Sequence, residues 1–437
     1  MRQNSLLIGA LLFLVSGPTT YSQQQSNGPP KEQSNEPPKV EIAVQFTSQT
    51  GREIQPSFLP NPIESESGLG ARFSYNLTKH VALEAEGNVV ARSGFFTVLD
   101  SGGLNVQGQF GVKAGKRFER FGVFAKARPG LLDVDVLVQT GTQTIPNGPF
   151  PPITYPLFEP RRKSFFTLDV GGVLEFYPSR RVLVRFDAGD TIVHVGDARS
   201  ITFTNGPPPP LARTIHNFQF SSGVAFRFRD PEPAATDADL AGSEVEQKFE
   251  VGVQFTSLLL RVWAETDLPV LPFDFEAAQA GFGGRMTYNF TRNIAAEVQT
   301  DFFLKDSFSF ANGRAGGRMI QFQAGPKIGK RFEKFGVFGK VRPGAVSFSK
   351  TVKWDFVPFP HDPTFQIERR TFFSLDVGGV LEFYPTPRLV TRFDGGDTII
   401  FYGSTQVPFL TLRTPIFEMP AKRKHQFQFS AGVGFRF

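Results

Sequence analysis

Two long stretches of this chain are copies of one another, and that duplication limits the possible folds more than any other feature. KRFERFGVF at 116–124 returns as KRFEKFGVF at 330–338, and LDVGGVLEFYP at 168–178 returns unchanged at 375–385. RFDAGDTI at 185–192 matches RFDGGDTI at 392–399, and FQFSSGVAFRF at 218–228 matches FQFSAGVGFRF at 427–437. The copies occupy 40–230 and 249–437, and the segment 231–248 between them is rich in Pro, Ala and acids with no strand pattern. A fold assigned to one half must therefore be built twice.

Period-two alternation predicts eight strands in the second copy, near 249–261, 280–290, 294–304, 319–330, 336–350, 371–384, 389–402 and 425–437. The connections alternate in length. Long ones fall at 262–279, 305–318, 351–370 and 403–424, and short turns at 291–293, 331–335 and 385–388. The first copy repeats the rhythm, with short turns at 78–80, 117–121 and 178–181. Short turns at one end and long loops at the other are the signature of an up-and-down membrane barrel. The expected fold class is all-β: a transmembrane antiparallel up-and-down β-barrel in two tandem eight-stranded units. One sixteen-stranded barrel is the alternative, but a complete charge set in each copy and an 18-residue linker favour two.

The last strand sorts its residues cleanly. Phe427, Phe429, Ala431, Val433, Phe435 and Phe437 share one face, and Gln426, Gln428, Ser430, Gly432, Gly434 and Arg436 the other. Across the first copy the polar face carries Glu41, Glu84, Glu86, Asp169, Glu175 and Asp187 against Arg72, Lys113, Lys126, Arg128, Arg185 and Arg227. Across the second it carries Glu250, Glu297, Asp301, Asp376, Glu382 and Asp394 against Arg285, Lys327, Lys340, Arg342, Arg392 and Arg436. Six acids against six bases in each copy point to ions paired inside a narrow bore, where an unpaired charge costs several kcal/mol. The same charges on the solvated outside of a soluble barrel are the competing reading. The Phe-rich face argues against it, because an eight-stranded interior is only just wide enough for side chains and a row of Phe overfills it. Asp190 and Asp397 break the alternation; a β-bulge at Ala188-Gly189 and Gly395-Gly396 would turn them inward, and a place on the outer rim is the other option.

The amino terminus has the layout of a cleaved secretory signal over 1–22: Arg2, an apolar run over 6–15, then Thr20 and Ser22 at the −3 and −1 positions. That run is half of the ~20 residues a spanning helix needs. The Gln-, Asn-, Ser- and Pro-rich stretch 23–39 is expected to be disordered. Composition agrees with many short strands broken by turns: 50 Phe against 7 Tyr and 2 Trp, with 43 Gly and 34 Pro. A net charge of +6 is too small for a polybasic nucleic-acid binder, and the absence of cysteine excludes disulfides and thiolate metal sites.

The terminal strand closing on Phe437, with apolar residues at alternate positions before it, resembles the signature that outer-membrane barrels present to their assembly machinery. Signal, eight strands, short inner turns and a charged bore together resemble the small OmpA/OmpX-type transmembrane barrel. The resemblance covers nearly the whole chain after the signal. It implies a bacterial outer-membrane location in a Gram-negative cell envelope, contact with outer-membrane lipids and glycolipids, and the barrel-assembly machinery as partner during biogenesis. The chain departs from the family in its doubling, in having no recognisable OmpA-type peptidoglycan-binding domain, and in using Phe where interfacial Tyr and Trp are usual.

No catalytic constellation stands out, and no cofactor is expected. Of the histidines, His80, His194, His216, His361 and His425, only His216 and His425 occupy matching positions, and no Ser or acid at a defined spacing completes a nucleophile–base set. Gly-rich stretches at 68–70 and 281–284 fall in strands, so they do not read as phosphate loops. Basic clusters at Arg161, Arg162 and Lys163, at Arg369 and Arg370, and at Lys422, Arg423 and Lys424 are placed for glycolipid phosphates or for simple solvation. Pro-rich loops are expected at 148–160 and 205–210, exposed and stiff. The expected role is structural or surface-interacting, without enzyme activity and with an unknown surface ligand; a porin-like passive channel for small solutes is the alternative.

Overall fold

The computed structural model of the protein describes residues 38–52, 63–92, 103–147, 150–199, 210–228, 247–264, 273–307, 317–355, 364–407, 417–419 and 421–437. The signal segment 1–22, the stretch 23–37 and the linker over 231–246 lie outside the described residues, as do His361 and the Pro-rich segment 205–209.

Described residues of the first copy form β1 (Val40–Arg52), β2 (Ile63–Asn76), β3 (Val81–Arg92), β4 (Gly103–Arg117), β5 (Phe121–Asn147), β6 (Phe150–Phe176), β7 (Val182–Arg199) and β8 (Pro210–Phe228). Each pairs antiparallel with the next, and β1 closes onto β8 with Val40 opposite Phe228 and Glu41 opposite Arg227. The second copy forms β9 (Phe249–Ala264), β10 (Phe273–Asn289), β11 (Ile294–Ser307), β12 (Gly317–Arg331), β13 (Phe335–Asp355), β14 (Thr364–Thr386) and β15 (Leu389–Tyr402). After the short pair β16 (Thr405–Val407) and β17 (Phe417–Met419), β18 (Lys422–Arg436) closes onto β9 with Arg436 opposite Glu250. These pairings make two eight-strand rings. Between the rings there is one ladder contact among the described residues, Ala278 opposite Ser65. A single sixteen-stranded up-and-down ring would instead pair β8 with β9 and β18 with β1, leaving the β1–β8 and β9–β18 ladders open, and both of those are formed.

The short turns follow from their hydroxyls. Thr78 Oγ1 accepts the backbone N–H of His80 and Val81, and Thr291 Oγ1 accepts those of Asn293 and Ile294. Ser179 closes the β6–β7 turn in the same way. At the opposite end the strands run further than alternation predicts. β5 and β6 reach 27 residues each, where about 9–11 suffice to cross a hydrocarbon layer. The expected loop at 148–160 is therefore corrected: from Phe150 onward it is strand, with Pro156 opposite Thr142 and Pro160 opposite Leu137. Beyond the ring the hairpin is a two-stranded ribbon, so every strand there is an edge and tolerates proline's missing N–H.

The sheet is inside-out. Outward-facing Phe110, Met286, Ile328 and Phe435 are each 57–59 % exposed, while inward-facing Arg128, Arg342, Asp169 and Asp376 are fully buried. Phe46, Val184, Phe186, Phe255 and Ala431 face outward and are nonetheless buried, because there the two rings pack against each other.

Candidate functional site

Register builds the bores. The ladders set Arg128 beside Asp169, Glu175 beside Arg185 and Glu41 beside Arg227; in the second ring they set Arg342 beside Asp376, Glu382 beside Arg392 and Glu250 beside Arg436. Each of these six arginines therefore has an acid on the neighbouring strand before any side chain chooses a rotamer, whereas Lys113 faces Lys126 and Lys327 faces Lys340, so the lysines find their acids further across the bore.

In the first bore Arg185 is the hub. Its guanidinium makes a bidentate contact with Glu84 and donates to both oxygens of Asp187 at 2.9 Å. Arg128 bridges Asp169 and Glu86, Lys126 Nζ lies 2.8 Å from Asp169, and Lys113 pairs with Glu175. Arg72 reaches Asp187 at 3.1 Å and donates to Gln45 at 2.8 Å. In the second bore Arg392 holds Glu297 and Asp394, Arg342 joins Asp376 to Glu297, Lys340 Nζ is 2.9 Å from Asp376, and Lys327 pairs with Glu382. Arg285 lies at the edge of this set, 4.0 Å from Glu297. Every charged bore residue named from the alternation, from Glu41 through Asp394, lies inside a ring, and nearly all are buried. Breaking one such pair strands the other charge in a dry interior at about 3–5 kcal/mol.

Three further layers surround this network. At the inner end Tyr177 donates to Glu175 and Tyr384 to Glu382, and the guanidinium groups of Arg117 and Arg331 donate to those same hydroxyls at 3.0 and 3.1 Å. Room for each tyrosine is made by glycine: a Cβ on Gly122 would stand 2.4 Å from the Tyr177 hydroxyl, and one on Gly336 the same distance from Tyr384. Further out lies an amide layer, in which Gln49 donates to both Gln107 and Gln219 and Gln321 donates to Gln428. Beyond it, inward-facing apolar side chains meet over the bore. Leu132, Val134, Val193, Val195 and Ile215 do so in the first ring. Leu258, Phe303, Met319, Val346, Phe348, Phe372, Ile400 and Tyr402 do so in the second.

The expected β-bulges are corrected. The ladder runs regularly through Asp190, opposite Val170 and Phe218, and through Asp397, opposite Val377 and Phe427. Both carboxylates keep the outward direction, and a histidine satisfies each: His216 Nδ1 lies 2.6 Å from Asp190, and His425 Nδ1 2.6 Å from Asp397. The small residues there permit close strand approach rather than a register break; a Cβ on Gly378 would meet the Gly395 carbonyl oxygen at 2.2 Å. His80 Nδ1 donates to the Gly115 carbonyl oxygen near an inner turn, and His194 is exposed opposite Phe166. The basic clusters lie on strands: Arg161, Arg162 and Lys163 are exposed on β6, and Arg370 contacts Glu368. Among the described residues no group of three or more His, Asp or Glu is arranged to hold a metal.

Fold and bores together define a class: a protein of two closed, inverted antiparallel barrels with ion-filled, apolar-capped interiors. No protein-family model matches the chain, and no curated protein matches it. Among solved structures the chain is similar to Ail, the attachment invasion locus protein of Yersinia pestis, at 16% identity and TM-score 0.25 over 44% of this chain and 99% of that one. It is similar to the N-terminal β-barrel domain of Pseudomonas aeruginosa OprF at 12% identity and TM-score 0.22, over 43% of this chain and 97% of that one. A Pseudomonas aeruginosa FadL homologue is similar at 11% identity and TM-score 0.27, over 91% of this chain and 90% of that one.

Proposed function

We propose that this protein is an integral outer-membrane β-barrel protein with a structural or surface-interaction role, its two bores filled rather than conducting. The observation that carries this reading is the inversion itself. Phenylalanine and valine cover the outside of both rings, while arginine, lysine and glutamate are paired inside. In water such an outer surface far exceeds the few hundred Å² of contiguous apolar patch that soluble monomers tolerate. Against hydrocarbon it is the favourable arrangement, and a charge on it costs about 2–4 kcal/mol at mid-bilayer. Export by a cleaved signal over 1–22, recognition of the strand ending in Phe437 by the barrel-assembly machinery, and contact with outer-membrane lipids and glycolipids complete the proposal. The long β5–β6 and β13–β14 hairpins would carry the surface contacts.

The test is reconstitution of the full chain in planar bilayers together with membrane fractionation of expressing cells. The reading expects recovery with the outer membrane and no stable conducting steps. Large, long-lived open steps would replace it with the second reading, a passive channel. That alternative finds its support in the first ring, where Gln49 and Asn105 keep part of the mouth polar.

A further inference from the structure

Where the rings touch, the contacts come in exchanged pairs. Phe46 of β1 stacks on Phe429 of β18 at 4.1 Å with planes 27° apart, and Phe220 of β8 stacks on Phe255 of β9 at 4.2 Å and 24°. In the duplication Phe46 corresponds to Phe255, and Phe220 to Phe429. One contact is thus the other with the two copies interchanged. The surrounding geometry repeats the relation: Phe186 sits 6.5 Å from Phe220 as Phe393 sits 6.3 Å from Phe429, and Phe176–Phe186 at 79° mirrors Phe383–Phe393 at 84°.

Two equivalent positions meet themselves. Phe186 stacks on its own counterpart Phe393, 6.1 Å apart and 8° from parallel, and Ser65 pairs with its counterpart Ala278. Where contacts between two copies are exchanged in this way, a residue that touches its own equivalent lies on the two-fold axis. Phe186 lies four residues from the inner end of β7 and Ser65 eleven from the inner end of β2, so the line joining the two contacts runs along the barrels. A two-fold in that direction keeps both sets of short turns on the same side. The outer half of the contact is made by small side chains. Ser67 Oγ lies 2.7 Å from Ser257 and donates to Ser48, and Ser65 is buried beside Ala278. Small residues let apolar surfaces approach closely without water, and their hydroxyls bond across the gap, as at helix contacts inside membranes.

We infer that the outward face bearing Phe46, Ser65, Phe186 and Phe220 is a self-complementary docking surface whose partner is a second copy of the same eight-strand unit. The full chain is an internal two-fold dimer held by this face, and the covalent linker is not what keeps its barrels together. The inference does not depend on the membrane role proposed above.

The experiment uses the full chain in detergent micelles, with a protease site inserted within 231–246 and cut after folding. The halves are expected to stay together on size-exclusion chromatography. The cysteine-free background allows a second readout. Ser65→Cys with Ala278→Cys should link the cut halves into one band under mild oxidation, whereas Phe110→Cys with Ala324→Cys, on β4 and β12, should not. In the cut chain, Phe186→Arg with Phe393→Arg should abolish co-elution while each half keeps the heat-dependent gel mobility of a folded barrel. Separation of the unmodified halves, persistence of the double arginine variant as a complex, or cross-linking by the β4–β12 control would each overturn the inference. A chain whose halves never acquire folded-barrel mobility would instead count against the barrel reading itself.

Discussion

The two bores agree at the level of the arginines and part company on either side of it. Arg185 and Arg392 each hold a glutamate from across the bore and an aspartate two residues along their own strand. Next to this layer, the first bore has Glu86 against Arg128 with Asn88 beyond it. The second has Gln299 against Arg342, and the acid has moved to Asp301. Asp301 is satisfied by Gln254, Thr256 and Gln299 rather than by a cation. At the mouth the difference widens: Gln49 and Asn105 of the first ring stand where the second has Leu258 and Met319. The lesson is one of constraint. A buried guanidinium must keep its carboxylates because removing one leaves a bare charge, whereas a mouth need only be filled, and either amides or aliphatic groups can fill it.

That contrast can be broken most forcefully at the shared layer. Arg185→Met and Arg392→Met should each cost about 3–5 kcal/mol, with nearly equal losses read as denaturant midpoints for folding into vesicles. A tolerated substitution in one ring would show that its network is not structural. On the outside, Val44→Arg and the matching Val253→Arg should each lose about 2–4 kcal/mol in the same assay. No loss at either would place those faces outside the hydrocarbon. Converting one mouth to the other, by Leu258→Gln with Met319→Asn, should cost roughly 2 kcal/mol because it opens space within the second cap. Asp301→Asn should be the mildest change, about 1 kcal/mol, since the amide oxygen still accepts from Gln254 and Thr256, only the bond from Gln299 is lost, and no cation is deserted. Glu86→Gln should exceed it, because Arg128 then loses a charged partner. A larger effect at Asp301 than at Glu86 would mean that the acid of the second bore balances charge at a distance.

Much of the bore was legible from spacing. Residues such as Glu84, Arg128 and Asp376 declare themselves because an inward position recurs every second residue and the outward positions between them are nearly free of charge. Arg117 and Arg331 did not, because they sit where strand gives way to turn and alternation loses its meaning. The caps escaped for a different cause: Phe303 and Met319 fall inside the expected strands 294–304 and 319–330 but are apolar like the outer face, so only their register with the charged inward positions shows that they point into the bore. Asp190 and Asp397 looked like exceptions needing a bulge, and the histidine that satisfies each lies on the next strand, 26 and 28 residues away.

The chain's own order of residues decided that this would be a sheet, that it would be made twice, and which side of it would carry charge, since all three are properties of local period and repetition. Ring closure, the pairing of each cation with its acids, and the burial of one phenylalanine against the other copy while its neighbour stays exposed were decided only in three dimensions. Phe46 and Phe73 are alike in their strands as far as local pattern goes. One stacks on Phe429 and the other stands 45 % exposed, because the identity of a neighbour across space leaves no mark on a residue's local periodicity.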